Sequence, residues 1–327
     1  MSEPPTTPPP GRLLPLLIGM LAANLVAAAL FFGVKLLLDH SHDPGSRAPT
    51  VPILNLVPLV RALTVPSLGL VPLVAGFVAA WCWRRLQPTI GDCLIHSLTT
   101  TLLGLAGASV FIHEGAVCLV IAAPALYVMI LTGALLGRIW FRRNDTHFRL
   151  SIIPLLALLT AGEALQRTDE MGVVTDEILI HAPPAKVWPH VLAFPEVPDA
   201  PGYWIFRLGL PHPTATTNGG AFVGADRQCK FSDGIVIKEK IAEFVPNEKL
   251  TFDIIEQPTH PEAYGHITLH RGRFTLRDNH DGTTTLVGTS WYTLHVRPLW
   301  YFDLWTSDMT RAVHLRVMRH VRRLAES

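Results

Sequence analysis

The chain has 327 residues, enough for two domains at the usual length of roughly 150 residues each. It is 49% hydrophobic and only 16% charged, against about 25% charged residues in soluble proteins, and its mean hydropathy of +0.32 excludes a wholly soluble enzyme. A net charge of +1 offers no field for nucleic acid, whose phosphates require clustered Lys and Arg. The four cysteines, Cys82, Cys93, Cys118 and Cys229, lack zinc spacing, so free thiols are expected, with no metal and no cofactor.

The charge deficit falls in the first half. Residues 1–12 are proline-rich and polar and read as disordered. The region 13–166 then reads as a transmembrane helical domain of four to five spans. Four apolar runs, Leu13–Leu38, Ser67–Trp83, Ile90–Ile112 and Ala116–Ile139, are each read as a span. The first is too long for a signal-peptide core and is followed by further apolar runs, so it is read as retained. The stretch Asp39–Pro66 is polar and proline-broken and reads as a loop. A fifth run, Ser151–Leu165, reaches only about 22 Å as a helix, short for a bilayer. It either crosses or lies on the surface, and is read as crossing.

Arg12, Arg84, Arg85 and the cluster from Arg138 to Arg149 place those ends in the cytoplasm by the positive-inside rule. The expected protein is thus integral to a membrane, a bacterial inner membrane, with a cytoplasmic amino terminus and an extracytoplasmic carboxyl-terminal domain. Asp92, His96 and Glu163 are ionisable groups inside the apolar runs. They read as a helix cap, a helix contact and a snorkelling end residue. Gly104 with Gly107, and Gly133 with Gly137, read as small-residue helix contacts.

From Gly172 the composition becomes ordinary. Val173–His181 alternates as a strand, and Ala182-Pro183-Pro184 opens a helix, since proline suits a first turn. The segments Ala225–Phe231, Ile235–Phe244, Lys249–Glu256, Thr268–Asp278 and Thr283–Val296 read as antiparallel strands between turn signals. Pro298–Ala325 reads as a long helix, with Phe302, Trp305, Met309, Val313, Val317, Val321 and Leu324 at helical spacing. A curved antiparallel sheet must cover its concave face, and one long helix laid across it leaves room for a ligand.

This order, with Ala182-Pro183-Pro184-Ala185-Lys186-Val187-Trp188, Val223-Gly224-Ala225-Asp226-Arg227-Gln228-Cys229 and Gly288-Thr289-Ser290-Trp291-Tyr292, resembles the START-like helix-grip (SRPBCC) superfamily of polyketide cyclases and lipid-transfer proteins. It is most similar to bacterial membrane-anchored members. The resemblance covers about Val173 to Leu324 and implies an α+β architecture: a membrane helical bundle followed by a curved antiparallel sheet gripping a carboxyl-terminal helix over 172–327. The superfamily hosts carriers, cyclases and oxygenase domains on one scaffold, and no Rieske cysteine-histidine set is present.

Turn geometry sets the register. A three-residue loop at Ser232-Asp233-Gly234 puts Phe231 opposite Ile235, Cys229 opposite Ile237 and Arg227 opposite Glu239, all on one face. Neither charge is tolerable alone in a cavity, so Arg227 and Glu239 are expected as a pair on the concave side, with Glu239 the candidate base. Loops of two or four residues ending at Gly282 would turn Phe274 and Trp291 to that same face, and the helix would add Trp305 and Met309. The expected ligand-binding set is therefore Arg227, Cys229, Glu239, Phe274, Trp291, Trp305 and Met309. His260, His266 and His270 lack a converging fourth ligand and read as hydrogen-bonded or solvated. Ser290 with His270 has no nucleophile-elbow context. Three functions stay open: a binder of a hydrophobic small molecule or lipid beside a bilayer, a cyclase- or dehydratase-like enzyme using Glu239 for proton transfer, and a sensory or assembly module. The oligomeric state has no signal in the sequence.

Overall fold

The computed structural model describes residues 13–41, 69–113, 115–142, 171–257, 266–296 and 298–327. Residues 1–12, most of the Asp39–Pro66 loop, Glu114, the Ser151–Leu165 run with Glu163, and His260 lie outside the described residues. The chain divides into two compact units, with the main boundary between Gln166 and Arg167.

The first unit is helical: α1 (Leu13–Ser41), α2 (Leu70–Trp83), α3 (Ile90–Gly107) and α4 (Ala116–Arg142). Two helical stretches, Ile90–Phe111 and Ala116–Phe141, are long and apolar enough to cross a membrane; α1 contributes a shorter apolar stretch, Leu14–Leu30. The 14 residues of α2 span only about 21 Å; among the described residues two stretches meet both the length and the apolarity of a membrane span. Asp92 does cap α3. Its carboxylate accepts from the Thr89 amide at 2.8 Å while the Thr89 hydroxyl accepts from the Asp92 amide at 3.1 Å, a reciprocal capping box. His96 rests against Trp83, ring centroids 5.3 Å apart. Gly133 and Gly137 press on α2 as small-residue contacts do, and Gly104 meets Asn24 of α1, whereas Gly107 has no neighbour where a side chain would stand.

The second unit is a seven-stranded sheet with a long helix: β1 (Met171–Ile180), α5 (Pro184–Leu192), α6 (Trp204–Arg207), β2 (Pro213–Asn218), β3 (Asp226–Phe231), β4 (Val236–Val245), β5 (Lys249–Glu256), β6 (Ile267–Asp278), β7 (Thr284–Leu294) and α7 (Leu299–Glu326). The order is β1-β7-β6-β5-β4-β3-β2, antiparallel throughout. β1 and β2 are therefore the two edges, and α5 and α6 carry the chain between them. Register shifts in β2, β4 and β6 bend the sheet. β2 escapes the sequence reading because its residues, PTATTN, lack large apolar side chains and begin with proline, as suits an edge.

α7 lies over the concave face and is bonded to both edges. Arg311 and His314 reach Asp176 on β1, and the Arg316 Nε donates to the Pro213 carbonyl on β2 at 3.1 Å. Between helix and sheet, Ile180, Val187, Leu250, Phe274, Leu286, Met318 and Val321 form a core with under a tenth of their surface exposed. Each such side chain contributes roughly 1.5–3 kcal/mol of burial free energy.

Candidate functional site

The turn between β3 and β4 closes with the Phe231 amide donating to the Ile235 carbonyl at 2.8 Å, and Gly234 takes the φ of +86° that a side chain would resist. That turn puts Arg227 opposite Glu239 and Cys229 opposite Ile237. Arg227 is 3% exposed and Glu239 6%, and the guanidinium Nη1 donates to the Glu239 carboxylate. Its Nε also donates to the Leu192 carbonyl at 3.3 Å, and its carbon stands 4.4 Å from the Phe252 ring centroid. Leu192 is the last residue of α5, where carbonyls lack intrahelical partners, so Arg227 ties the ion pair to the end of that helix.

Burial raises the Glu239 carboxyl above its ordinary value, and Arg227 opposes the shift. Burial first, and the Glu239 charge second, push the Cys229 thiol up to about 12. Cys229 is thus a neutral thiol near neutral pH, without nucleophilic character.

The last hairpin corrects the sequence reading. Its loop has five residues, Asn279 to Thr283, with Asp278 paired to Thr284 and the Asn279 amide donating to the Thr283 carbonyl at 3.1 Å. An odd loop shifts the register by one residue relative to loops of two or four, and one residue turns every side chain over. Phe274 therefore pairs with Gly288 and stays inward, in contact with Phe252, while Trp291 pairs with Arg271 and faces out. There the Arg273 guanidinium stands 5.2 Å from the Trp291 ring centroid. Trp291 leaves the concave face.

On α7, Trp305 and Met309 are half-buried, and Trp305 meets Trp204 of α6 edge-on at 6.5 Å. The buried positions are Phe302, Thr306, His314, Val317, Met318, His320, Val321 and Ala325, so the buried stripe is rotated by about one position from the apolar one. His314 is the consequential member. Its Nε2 lies 2.8 Å from the Ser290 hydroxyl on β7 and its Nδ1 2.9 Å from the Asp176 carboxylate on β1. Burial lowers the His314 imidazole below its ordinary value, against the pull of Asp176. The sequence offered one signal for this chain: polar residues at inward-facing positions of β1 and β7. His270 instead meets Thr293 at 2.8 Å.

Register and burial mark a partly covered set of residues beside the core. Cys229, Phe231 and Ile235 on the concave face, and Met309 and Val313 on α7, are only half-buried, whereas Ile254 packs against the core. Most residues there are apolar, so the arrangement suits a greasy molecule with one polar group.

No family model matches the chain, and no curated protein is similar to it. Among solved structures it is similar to the protein XoxI from Bacillus cereus, at 17% identity over 46% of this chain and 94% of that one, TM-score 0.34. It is also similar to a truncated norcoclaurine synthase from Thalictrum flavum, at 13% identity over 49% and 96%, TM-score 0.34. A third is the di-domain ARO/CYC StfQ from the steffimycin biosynthetic pathway, at 14% identity over 56% and 60%, TM-score 0.34. The strand order, the curled antiparallel sheet and the helix bonded across both of its edges give residues 171–327 a helix-grip architecture, the fold that the resemblance to START-like (SRPBCC) proteins implied.

Proposed function

We propose that the chain is a membrane-anchored helix-grip protein that binds a hydrophobic small molecule or lipid between its sheet and α7. The observation that carries this reading is that apolar residues on the concave face and on the helix over it, Phe231, Ile235, Met309 and Val313, stay half-buried beside a closed core. Apolar side chains left partly wet in a concavity gain when a ligand covers them. Two helical stretches of spanning length support the anchoring, Ile90–Phe111 and Ala116–Phe141. An aromatic series, Trp204 to Trp305 to Tyr301 to Trp300, with ring centroids 5.8–6.5 Å apart, suits contact with lipid. On this reading, and by the positive-inside rule alone, the amino terminus lies in the cytoplasm and the sheet domain outside it, which reporter fusions at the two ends would test.

The direct test is organic extraction of the purified full chain followed by mass spectrometry, beside Met309→Glu. An apolar molecule present in the native chain and depleted in the variant supports the reading; none in either contradicts it.

A second reading, a cyclase- or dehydratase-like enzyme, is favoured by one feature. Burial raises the Glu239 carboxyl above its ordinary value, with Arg227 opposing the shift, and that is the direction in which a general base is tuned. On that reading Glu239→Gln abolishes turnover while binding persists.

A further inference from the structure

α7 also borders a groove outside the core that it forms with the sheet. With the segment 197–206 it walls a groove of about 570 Å³, within the size range of small-molecule sites. Five arginines border it, Arg311, Arg316, Arg319, Arg322 and Arg323, against two carboxylates, Asp199 and Asp308, so the lining carries a net charge of +3.

Most of these groups are committed. Asp199 pairs with Arg323, and Asp308 accepts from the Tyr203 hydroxyl. Arg311 is given to Asp176, and Arg316 is fixed by the carbonyls of Pro213 and Asp199 at 3.1 and 3.0 Å. Arg319 and Arg322 have no hydrogen-bonded acceptor among the described residues. The carboxylate that acts on Arg322 is Glu326, which already accepts from the His181 amide at 2.8 Å. Arg319 and Arg322 lie three residues apart, hence side by side on the helix surface.

The field is felt locally. His320 is held below its ordinary value by burial with Arg323 adding to it, and His212 by burial with Arg316 adding to it. Beside the charges the groove is walled by Val197, Phe206 and Leu315. Two guanidiniums without acceptors next to an apolar wall form an amphipathic receptor. Planar guanidinium forks match the several oxygens of a phosphate better than a single charge does.

We propose that this groove binds a phosphate-bearing amphiphile, with Arg319 and Arg322 on the phosphate oxygens and the apolar remainder against Phe206 and Leu315. None of the groove's lining residues is among those named on the concave face, so the site stands whether or not that face holds a ligand. The phosphate has two possible sources, a phospholipid headgroup or a free phosphate.

The test is calorimetric titration of the detergent-solubilised full chain at 150 mM salt (about an 8 Å screening length). The probes are dihexanoyl phosphatidylglycerol, inorganic phosphate, and dihexanoyl phosphatidylcholine as a zwitterionic control. The expected result is binding of the glycerol lipid, weakened at least tenfold in Arg319→Ala/Arg322→Ala, with an unchanged melting curve because both side chains lie on the outer face. Tighter binding of the lipid than of phosphate assigns the source to a headgroup; equal binding of the two leaves the apolar wall without a role and overturns the amphiphile. No binding of either anionic probe, equal binding of the phosphatidylcholine control, or full retention in the double variant overturns the proposal.

Discussion

Arg227 and Glu239 are cross-strand partners on β3 and β4, sealed from water, with the guanidinium shared between a carboxylate, the last carbonyl of α5 and the face of Phe252. Three elements therefore meet at one side chain.

Removing one partner strands the other as a buried charge, which costs about 3–5 kcal/mol, whereas replacing both with apolar groups of similar volume is often neutral. Arg227→Met and Glu239→Leu are each expected to destabilise strongly. The double variant is expected to recover most of that loss. Denaturant unfolding of the four proteins measures the cycle; additive losses would show that the two groups do not act as a pair.

Acid should loosen the grip of α7. His314 is depressed by burial, so in the folded state it stays neutral below pH 6.5 while its unfolded counterpart takes up a proton. The unfolded chain then binds more protons, and stability present above pH 6.5 is lost as pH falls through the folded value. Asp176, bonded to both His314 and Arg311, resists the shift without reversing it. His212 and His320 are also depressed and act in the same direction. His314→Gln is expected to flatten the fall in melting temperature between pH 7 and pH 5.5. An unchanged slope would remove His314 from the account.

The helical unit makes its own prediction. Gly76 and Gly133 face each other across α2 and α4, and a Cβ on either would overlap the backbone carbonyl of Ile130 or Leu73. Small residues permit such backbone approach. Gly133→Val is expected to force the helices apart at a cost of roughly 1–3 kcal/mol, as overpacking does, and to lower the melting temperature in detergent. Gly107→Val, where nothing stands within 4 Å, is the control with little effect.

Trp291 separates the two possible registers of the last hairpin. Facing out, it stacks with Arg273, an exposed cation–π contact contributing about 0.5–1 kcal/mol. Trp291→Ala should cost that much stability and leave ligand binding intact. Loss of the ligand would return Trp291 to the concave face.

Much of the domain was legible because turn chemistry and alternation report on the same property, the face of each residue. The Ser232-Asp233-Gly234 turn gives the Arg227–Glu239 pairing directly, since its length is set by a single glycine at positive φ. The Asn279–Thr283 loop defeats the same method. Its length depends on Asp281, which accepts from the Thr283 amide at 2.9 Å and makes Thr283 part of the turn and not the first strand residue. The Asp176–His314–Ser290 chain was hidden for another reason. Its members are 114 and 24 residues apart in sequence, and only the sheet order brings β1 beside β7 under α7. In α7, His314 is buried because it finds polar partners on β1 and β7, so the apolar stripe alone misjudges the buried face.

The most direct test of the central reading is native mass spectrometry of the detergent-solubilised full chain beside Met309→Trp and Cys229→Phe, which place bulk among the half-buried residues of the concave face and α7. Circular dichroism confirms that each variant folds. The account predicts an added mass of a few hundred daltons (on the order of the ligands that such pockets hold) on the native chain, absent from both folded variants. A native chain without added mass, or one whose added mass survives in both variants, would contradict it.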